Sequence, residues 1–310
     1  MPGKPPRAQA PRKPSFRHRI EYLAYRLVVG ALRFAPEKPA LLFGEGMGWV
    51  TGVLLRIRWR TVMAHLRQAF PDRDDRWCRH IARASFRHLG RESVATFRLS
   101  RMDSAEIRDR TEVVGFEAIK ELASQGQGTI LITGHFGNWE MGGAAISARG
   151  VPIDVVAQRQ RNPLFDADLT ANRNRLGMAV IERGQAPKRV LRALREGRAV
   201  GIVGDQNLRR GGVFVEFFGR LASTARGGAL FALRTGSPVF LGMSRRMPGF
   251  PQRYQVTFEA VEFVASGNQE LDVLQLTEAH TRHLEKQVRE APEQYFWQHR
   301  RWKTRPPEES

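Results

Sequence analysis

Residues 133–143 of this 310-residue chain, TGHFGNWEMGG, place a histidine, a tryptophan and a glutamate among four glycines. They directly follow GTILI, a short apolar run typical of a buried strand. Neutral imidazole has a pKa near 6.5 and can take a proton from a hydroxyl group at neutral pH. A carboxylate at the other ring nitrogen would fix the tautomer and stabilise the imidazolium. His135 and Glu140 are therefore candidates for a general base and its partner.

The geometry of this pair depends on where the following helix begins. Five residues of continuous helix would leave the two side chains about 140° apart. His135 and Glu140 can face each other only if the histidine lies in a turn before a helix that begins near Asn138. Gly134 and Gly137 give the backbone the freedom for such a turn. The amides at the start of the helix could then stabilise a developing oxyanion.

Other catalytic arrangements are not found around this segment. There is no G-x-S-x-G nucleophile elbow and no neighbouring cysteine, so the activated hydroxyl is expected to belong to the substrate, and acyl transfer would proceed without an acyl-enzyme. The zinc motif H-E-x-x-H and the phosphate-binding glycine motifs are also missing. Cys78, the only cysteine, excludes a Cys-rich zinc site and an internal disulfide. No metal or cofactor is expected.

From residue 111 the sequence alternates between short apolar runs and amphipathic stretches. This alternation predicts parallel strands joined by right-handed helical crossovers. The predicted fold class is α/β, with a mostly parallel central sheet flanked by helices. The segments are TEVVGFEAIKELASQGQ (strand edge, then helix), GTILITG (strand), WEMGGAAISARG (helix), PIDVVAQ (strand), NPLFDADLTANRNRLG (helix), MAVIE (strand), APKRVLRALREG (helix) and RAVGIVGDQ (strand).

Functional groups of such a fold gather at the carboxyl edge of the sheet. The segment TGHFGNWEMGG falls there, and its Gly134 and Asn138 are predicted to contact substrate. Arg159 and Arg161 follow the strand DVVAQ, where they could bind a phosphate or carboxylate; a solvated loop is the alternative. Asp205 follows GIVG, and there it could orient an arginine or simply cap a helix.

Two further pairs complete the candidate substrate contacts. Arg173 and Arg175, on the predicted helix after residue 162, are additional anion-binding candidates. The segment GVFVEFFG alternates in the manner of a strand and ends in Phe217 and Phe218, which could line an acyl pocket. Packing in the core is the alternative for both phenylalanines.

The chain is strongly basic, with 50 Lys and Arg against 31 Asp and Glu and a formal net charge of +19. Residues 1–100 hold 20 Lys and Arg and 7 Asp and Glu, so +13 of the +19 belongs to the first third. Such a charge attracts nucleic acid, an anionic membrane surface or an acidic protein. Residues 1–18, which are basic and rich in proline, are predicted to form a disordered arm.

Residues 19–110 are predicted to be helical and to associate with a membrane. In RIEYLAYRLVVGALRF, apolar residues recur at helical spacing, and Arg19, Arg26 and Arg33 share one face. This pattern suits a basic amphipathic helix in a membrane interface, with arginines near lipid phosphates; a core helix with a solvated edge is the alternative. The most apolar stretch, ALLFGEGMGWVTGVLL, has only 16 residues and contains Glu45, so a spanning helix is not expected.

The segment DRWCRHIARASFRHLGRESVATF also has a helical period and carries arginines on one side. Nucleic acid is therefore an alternative partner. No helix-turn-helix, zinc finger or RNA-recognition signature accompanies the arginines, so nucleic acid is not favoured. The α/β core is predicted to occupy residues 111–310. The arginines concerned are Arg73, Arg76, Arg79, Arg83 and Arg87.

GHFGNWE closely resembles the signature of the bacterial lipid A biosynthesis acyltransferases, the lauroyl and myristoyl transferase family. The wider group includes lysophospholipid acyltransferases, which share an H-x4-D/E motif. Further stretches resemble the family in the same order, so the similarity spans nearly the whole chain. They are HLRQAFP (65–71), RQRNPLFD (159–166), GIVGDQ (201–206), GVFVEFFG (212–219), LFALRTGSPV (230–239) and QYFWQHRRWKTRP (294–306).

The resemblance implies a glycerolipid acyltransferase-like enzyme on the cytoplasmic face of the inner membrane. It would move an acyl chain from acyl carrier protein to a hydroxyl of a lipid A precursor of the Kdo-lipid IVA type, with His135 as base and Glu140 as its partner. Mycobacterial mannoside acyltransferases and other glycolipid acyltransferases share these motifs, so the match leaves the acceptor open. A non-catalytic basic protein that binds membrane or nucleic acid is the alternative from another class.

Overall fold

A computed structural model describes residues 13–306 of the chain. Within them the chain forms eleven α-helices and nine β-strands. The helices are α1 (Phe16–Phe34), α2 (Glu37–Trp49), α3 (Trp59–Ala69), α4 (Asp75–Arg98), α5 (Ser104–Arg110), α6 (Phe116–Ser124), α7 (Trp139–Ser147), α8 (Pro163–Arg175), α9 (Ala186–Arg195), α10 (Gly227–Thr235) and α11 (Gln269–Glu290). The strands are β1 (Thr111–Val114), β2 (Thr129–Thr133), β3 (Ile153–Ala157), β4 (Met178–Glu182), β5 (Ala199–Val203), β6 (Val213–Phe217), β7 (Arg220–Thr224), β8 (Val239–Arg246) and β9 (Tyr254–Ala260).

The predicted α/β fold is confirmed. Each segment that was assigned from residue 111 onward forms the expected strand or helix, and β1 begins at Thr111. Seven strands form one sheet in the order β1-β9-β8-β2-β5-β3-β4, and every neighbouring pair is parallel except β8 and β9. Strands β6 and β7 form a separate hairpin. Because β5 pairs with β2, the ends of these two strands meet at the carboxyl edge.

The disordered-arm prediction is only partly addressed by the structure. Residues 1–12 of the predicted arm lie outside the described range. Helix α1 begins at Phe16, inside the predicted arm, and the Ser15 side chain caps it by accepting a hydrogen bond from the His18 amide. The predicted boundary at residue 18 is therefore wrong by at least three residues.

A hydrophobic core lies on each face of the main sheet. Along β2, Ile130 and Ile132 point into one core and Leu131 into the other, as the two-residue period of a strand requires. Val62 and Leu66 of α3 and several residues of α4 share the first of these cores with the sheet. The predicted division at residue 110 remains a prediction, but the packing is continuous across it.

Helices α2 and α4 approach each other so closely that glycine is required at the contact. A Cβ on Gly44 would lie 2.6 Å from the carbonyl oxygen of Gly90, and one on Gly48 would lie 2.0 Å from that of Phe86. The buried Arg91 of α4 pairs with Glu45 of α2 at 2.6 Å. The glutamate that interrupts the most apolar stretch is thus part of a helix contact.

Helix α1 turns its apolar side chains outward. Ile20, Leu23 and Leu27 are 54%, 61% and 68% exposed. Val29 alone is buried within this helix, all of which is described. The alternative of a core helix is therefore wrong. Exposed large apolar side chains continue through α2 and the π-helical turn after it, and we call the exposed members together the N-terminal apolar face: Phe16, Ile20, Leu23, Leu27, Val28, Phe34, Leu42, Phe43, Met47, Trp49, Leu54, Leu55 and Ile57.

Among the described residues, no single helix has the length and apolar content needed to cross a bilayer. The segments Glu37–Leu54 and Trp59–Ala69 meet that test only when taken together, across a bend of 88°.

Candidate active site

His135 lies in the turn between β2 and α7, as predicted. Its carbonyl accepts a hydrogen bond from the Phe296 amide at 3.0 Å. The turn depends on Gly137, which has a φ of +53° and whose Cβ, if present, would lie 1.8 Å from the Ser244 carbonyl oxygen. The Asn138 side chain then caps α7 by accepting from the Met141 amide at 3.0 Å. The helix therefore begins one residue after the turn that carries the histidine.

The partner of the imidazole is Asp205, which lies at the end of β5. One carboxylate oxygen lies 2.6 Å from His135 Nδ1, and the other accepts the His135 backbone N–H at 2.8 Å. An ionised carboxylate can only accept hydrogen bonds, so Nδ1 carries the proton and Nε2 is left with a lone pair. The amide of Gln206 lies 3.1 Å from Nε2, where its N–H can donate to that lone pair. This is the tautomer that a general base needs.

Two predictions about Asp205 and one about Glu140 are corrected by this geometry. Asp205 caps no helix, since β6 follows it in the described chain, and its hydrogen bonds go to His135 rather than to an arginine. The predicted contact between Glu140 and the imidazole is wrong. Glu140 lies in the first turn of α7 and its carboxylate binds the guanidinium of Arg173 on α8, with Nη2 at 2.5 Å and Nε at 3.0 and 3.2 Å.

The electrostatics of the pair follow from its burial and its charges. Burial lowers the pKa of His135, but the charge and hydrogen bond of Asp205, with a smaller effect from the charge of Glu140, outweigh burial and raise it above the ordinary value. Burial would likewise raise the pKa of Asp205, but the charge and hydrogen bonds of His135 hold it below its usual range. Asp205 is therefore ionised whenever the histidine can act as a base.

The start of α7 offers hydrogen-bond donors beside the imidazole. Its first amides have no partner within the helix, which is general for helix termini. The Met141 amide is taken by the Asn138 side chain. Over the described residues, the amides of Trp139 and Glu140 donate to no protein acceptor. They can stabilise negative charge that develops near His135.

Two cavities of about 650 Å³ each, open mouths included, lie on either side of Trp139. The first, the sheet cavity, lies between α7 and the main sheet. It is lined by Glu140 and Arg173 at the carboxyl edge of the sheet and reaches Ile153 and Met178, the first residues of β3 and β4. Its walls are mostly apolar: Leu131, Ile146, Ile153, Val155, Val156, Met178, Val203, Met243, Val256 and Phe258, with glycines at 142, 143, 201 and 242.

The second cavity, the α4 groove, runs beside one face of α4 and reaches His135. The Trp139 ring packs edge-on against the imidazole, with 4.8 Å between the ring centroids, and lines both this groove and the sheet cavity. The groove is lined by Ser85, His88, Leu89, Glu92, Ser93, Thr96 and Phe97 of α4 and by His135, Gly137, Asn138, Trp139, Gln294, Tyr295, Phe296 and Gln298. His135 therefore lines the α4 groove, and the neighbouring Trp139 lines both cavities.

A buried carboxylate on α4 helps to place the catalytic turn. Glu92 accepts hydrogen bonds from the Tyr254 hydroxyl at 2.7 Å and from the Asn138 side-chain amide at 3.0 Å. Burial raises the pKa of Glu92 in spite of these donors. Asn138 in turn caps α7, so Glu92 links the helical region to the turn. No sequence pattern indicates this role, because Glu92 lies in a helix whose other charged residues are mostly exposed arginines.

The remaining predicted residues lie around this centre or away from it. Gly134 packs closely, since its Cβ would lie 2.7 Å from Leu284 Cδ1 and 3.3 Å from an Asp205 oxygen. Asn138 binds protein groups as described. Arg159 pairs with Glu182 at 2.7 Å, and Arg161 is exposed on the same loop. This loop follows β3 at the carboxyl edge, as the sequence predicted.

Phe217 and Phe218 lie on the other face of the main sheet from the sheet cavity. Both are buried and pack against aromatic rings, Phe217 against Trp302 at 5.7 Å and Phe218 against Trp297 at 5.7 Å. Neither lines the sheet cavity or the α4 groove. Their packing in the core, the alternative weighed above, accounts for both rings.

Comparison with known proteins points to one family. Residues 9–304 match the family model described as bacterial lipid A biosynthesis acyltransferase. The chain is 29% identical over 266 residues to the lipid A biosynthesis lauroyltransferase of Escherichia coli K12, covering 85% of each chain. It is 28% identical over 276 residues to the palmitoleoyltransferase of the same organism, covering 88% of each. A phosphatidylinositol mannoside acyltransferase of Mycolicibacterium smegmatis is 28% identical over 164 residues, 52% of this chain and 54% of the relative.

Proposed function

Since the chain belongs to the bacterial lipid A biosynthesis acyltransferase family, we propose that it moves a fatty acyl chain from acyl carrier protein to a hydroxyl group of a lipid A precursor of the Kdo-lipid IVA type. Acyl transfer itself follows from the family. The donor, the acceptor and the mechanism are the proposed parts. The observation that carries the mechanism is the His135–Asp205 pair, which leaves a lone pair on Nε2 of a histidine that lines the α4 groove. Trp139, which packs against the imidazole, also lines the sheet cavity.

The proposed reaction is a direct transfer. Nε2 of His135 takes the proton of the acceptor hydroxyl while that oxygen attacks the thioester carbonyl of the donor. The tetrahedral oxyanion is stabilised by the amides of Trp139 and Glu140 at the start of α7. When the intermediate collapses, the carbon–sulfur bond breaks and the imidazolium returns its proton to the leaving thiolate. Asp205 keeps the imidazole in the productive tautomer and stabilises the imidazolium.

Glu140 is assigned a different part in this reaction from the one its spacing first suggested. Its carboxylate fixes Arg173 at the mouth of the sheet cavity and adds negative charge near His135. The fixed guanidinium can orient the donor thioester or a polar group next to it. The exposed Arg159 and Arg161, at the same edge, suit contacts to an acidic partner such as acyl carrier protein.

The proposal is tested by incubating the purified chain with acyl carrier protein that carries a labelled acyl chain and with candidate acceptor lipids. Labelled Kdo-lipid IVA supports the proposal, whereas labelled mannoside glycolipid would assign the acceptor of the mycobacterial relatives instead. Salt-sensitive retention on nucleic acid without any lipid product would favour the non-catalytic alternative. Labelled acyl-CoA, offered in parallel, distinguishes the two classes of thioester donor.

We also propose that the chain lies on the cytoplasmic face of the inner membrane through its N-terminal apolar face. The apolar residues of this face are exposed although each would gain free energy by leaving water. Arg56 and Arg58, also exposed, flank Ile57, where they can meet lipid phosphates. Large exposed apolar surfaces mark membrane or protein contacts in soluble chains.

Replacing Leu54 and Leu55 with serine should weaken binding to anionic vesicles at least tenfold, since about 1.4 kcal/mol of lost burial is a tenfold change and each leucine can contribute more. Both side chains are more than 60% exposed, so the fold should not change. Leu271→Ser, which alters an exposed leucine on α11, is the matched control. Sedimentation with vesicles measures the effect, and equal binding of all three proteins would contradict it.

The donor's acyl chain is proposed to enter the sheet cavity rather than a pocket at Phe217 and Phe218. Glu140 and Arg173 line this cavity at the carboxyl edge of the sheet, and its other walls are mostly apolar. Met178, the first residue of β4, lies at the far end, about 13 Å from the carboxyl edge at 3.3 Å per strand residue. The depth of the cavity would therefore limit the length of the chain.

Two substitutions at the far end should shift chain length in opposite directions. A Cβ on Gly143 would lie 2.5 Å from Met178 Sδ, so Gly143→Ala should crowd this end and favour shorter chains. Met178→Ala should open it and favour longer ones. Each methylene of the acyl chain that no longer fits the cavity costs about 0.8 kcal/mol, so the preference between donors that differ by one methylene should change roughly fourfold. Product mass spectrometry with mixed donors measures the shift, and identical products from both variants would place the acyl chain elsewhere.

A further inference from the structure

Four arginines from three parts of the chain converge on one open cavity at the end of α4. Arg26 and Arg33 come from α1, Arg101 from the 3-10 turn after α4, and Arg175 from the end of α8. Asp168 is the one acidic residue among the described residues that line this arginine cavity. Four positive charges against one negative charge leave a local excess of +3, which this part of the protein does not neutralise.

Three of these guanidinium groups are held by backbone carbonyls, whereas that of Arg26 pairs with Asp168 at 3.5 Å. Arg33 Nε donates to the Phe97 carbonyl at 3.3 Å, and Arg101 donates to the Arg33 carbonyl. Arg175 donates to the carbonyls of Leu99 and Met102 at 2.5 and 3.1 Å. Backbone carbonyls are neutral acceptors, so they fix the geometry of the arginines without cancelling their charge. Guanidinium groups placed in this way are arranged to bind an anion through several hydrogen bonds.

Two further observations indicate an anion site. Burial, and then the positive charge of Arg33, lowers the pKa of Arg175, so these two cations are near enough to repel each other. The side chain of Asn172 also lines the cavity, and its buried Oδ1 accepts no hydrogen bond from the described residues. A half-turn of this amide would bring its N–H groups to a bound anion. An anion in the cavity would reduce the repulsion between Arg33 and Arg175 and would give the side-chain amide of Asn172 a partner.

The arginine cavity is connected to the catalytic turn through α4. The α4 groove ends at Phe97, whose carbonyl binds Arg33, and the arginine cavity begins three residues later at Ser100. Glu92, which binds the catalytic turn through Asn138, is nine residues before Arg101, or about 14 Å along a helix at 1.5 Å per residue. A molecule lying in the groove could thus reach both places at once.

We propose that the arginine cavity binds a phosphate group of the lipid acceptor, which lies along the α4 groove with its reacting hydroxyl at His135. The inference rests on the proposed function, since it takes the acceptor to be a lipid. A lipid phosphate is favoured over a soluble one because Phe34, 80% exposed and part of the N-terminal apolar face, forms the rim of the cavity. The cavity therefore opens where the bilayer and its phosphates would lie.

The first test compares binding to phosphatidylcholine vesicles that contain either phosphatidic acid or oleic acid, matched in surface potential. A phosphate site should favour phosphatidic acid by roughly tenfold or more, as expected for several hydrogen bonds to a charged group. Arg101→Gln and Arg175→Gln should each reduce this ratio, and the double variant should bring it near one. Arg192→Gln on α9, which removes the same charge from an exposed pair, should leave the ratio unchanged.

The assignment is overturned if the wild-type protein binds both vesicles equally or if the double variant keeps the full preference. Inorganic phosphate and phosphopantetheine, each added at the concentration of accessible phosphatidic acid, test the soluble sources; either one abolishing the preference would assign the cavity to that source instead. If a glutamine variant unfolds, lysine at the same position replaces it in the test. Lysine keeps the positive charge but not the planar guanidinium group, so the ratio of phosphatidic acid to oleic acid binding should be intermediate. The wild-type ratio decides in any case.

A second test uses the reaction. Arg101→Gln should raise the KM for a phosphorylated acceptor several-fold, leave kcat nearly constant and hardly affect a dephosphorylated acceptor. An equal rise for both acceptors would overturn the assignment. Vesicle binding needs no catalysis, so it can be repeated with His135→Ala. A failure of the catalytic mechanism would leave the vesicle result intact, and a failure of the phosphate site would leave acyl transfer to dephosphorylated acceptors intact.

Discussion

Replacing His135 with alanine should lower the rate of acyl transfer by about 10²- to 10⁴-fold, the range that general base catalysis usually contributes. The proposed reaction relies on the His135 imidazole to take the proton of the acceptor hydroxyl, so the variant loses this step. The loss should appear in kcat, with saturating donor and acceptor. The circular dichroism spectrum and the vesicle binding of the variant should match those of the wild-type protein, because the side chain lies in a turn rather than in the core.

The pH dependence gives an independent check on the same histidine. Only neutral imidazole can accept the proton, so kcat should fall as the pH drops through the pKa of His135. Asp205 and Glu140 raise that pKa against the effect of burial, so the midpoint should lie above the ordinary value of about 6.5. A folded His135→Ala protein with a tenth or more of the wild-type activity would overturn the mechanism.

Asp205→Asn should cost nearly as much as the loss of the base itself, about 10²- to 10⁴-fold. An asparagine amide can donate to Nδ1, which moves the imidazole proton to Nε2 and leaves the base without its lone pair. Glu140→Gln should cost less, because Glu140 makes no hydrogen bond to the ring. Asp154→Asn is the matched control and should keep most of the activity. It removes a buried carboxylate of β3, which pairs with Arg198 just before β5.

The pH profile of the residual activity in these variants should also show in which direction each carboxylate shifts the pKa of His135. With the Asp205 charge gone, burial is left to lower the pKa of His135, so the acid limb should move to lower pH. Glu140→Gln removes the smaller of the two charges and should move it less. The His135→Ala and Asp205→Asn losses should not add, since both residues serve one proton transfer. A larger loss in Glu140→Gln than in Asp205→Asn would restore Glu140 as the partner of the base.

The sequence predicted the elements of the sheet and the place of His135, because apolar periodicity and glycine at a strand end are local signals. It did not predict the partner of the imidazole. His135 and Asp205 are separated by 70 residues, and they meet only because β5 pairs with β2. Spacing along the chain carries no information on which strands are neighbours. Glu140 was the candidate because it is close to His135 along the chain and because the family resemblance implies it.

The role of α4 was hidden from the sequence for a different physical reason. Its exposed arginines dominate the pattern, whereas Arg91 and Glu92 are buried and pair with residues far along the chain. Whether such a charge faces water or a partner depends on tertiary packing. The two phenylalanines show the converse: Phe217 ends β6 as predicted and Phe218 follows it in a turn, but both lie on the face of the sheet opposite the sheet cavity.

The hydrogen bond between Glu92 and Asn138 has a consequence for how this enzyme can diverge or be recombined. A chimaera that joined the helical region of one relative to the sheet of another would take Glu92 from one parent and Asn138 from the other, so the link through which α4 sets the start of α7 would have two origins. The core that α3 and α4 share with the sheet would be divided in the same way. The wall of the α4 groove would change in the same exchange. Substrate selection and base placement are therefore inherited together, and a crossover near residue 110 would separate residues that have to change in concert.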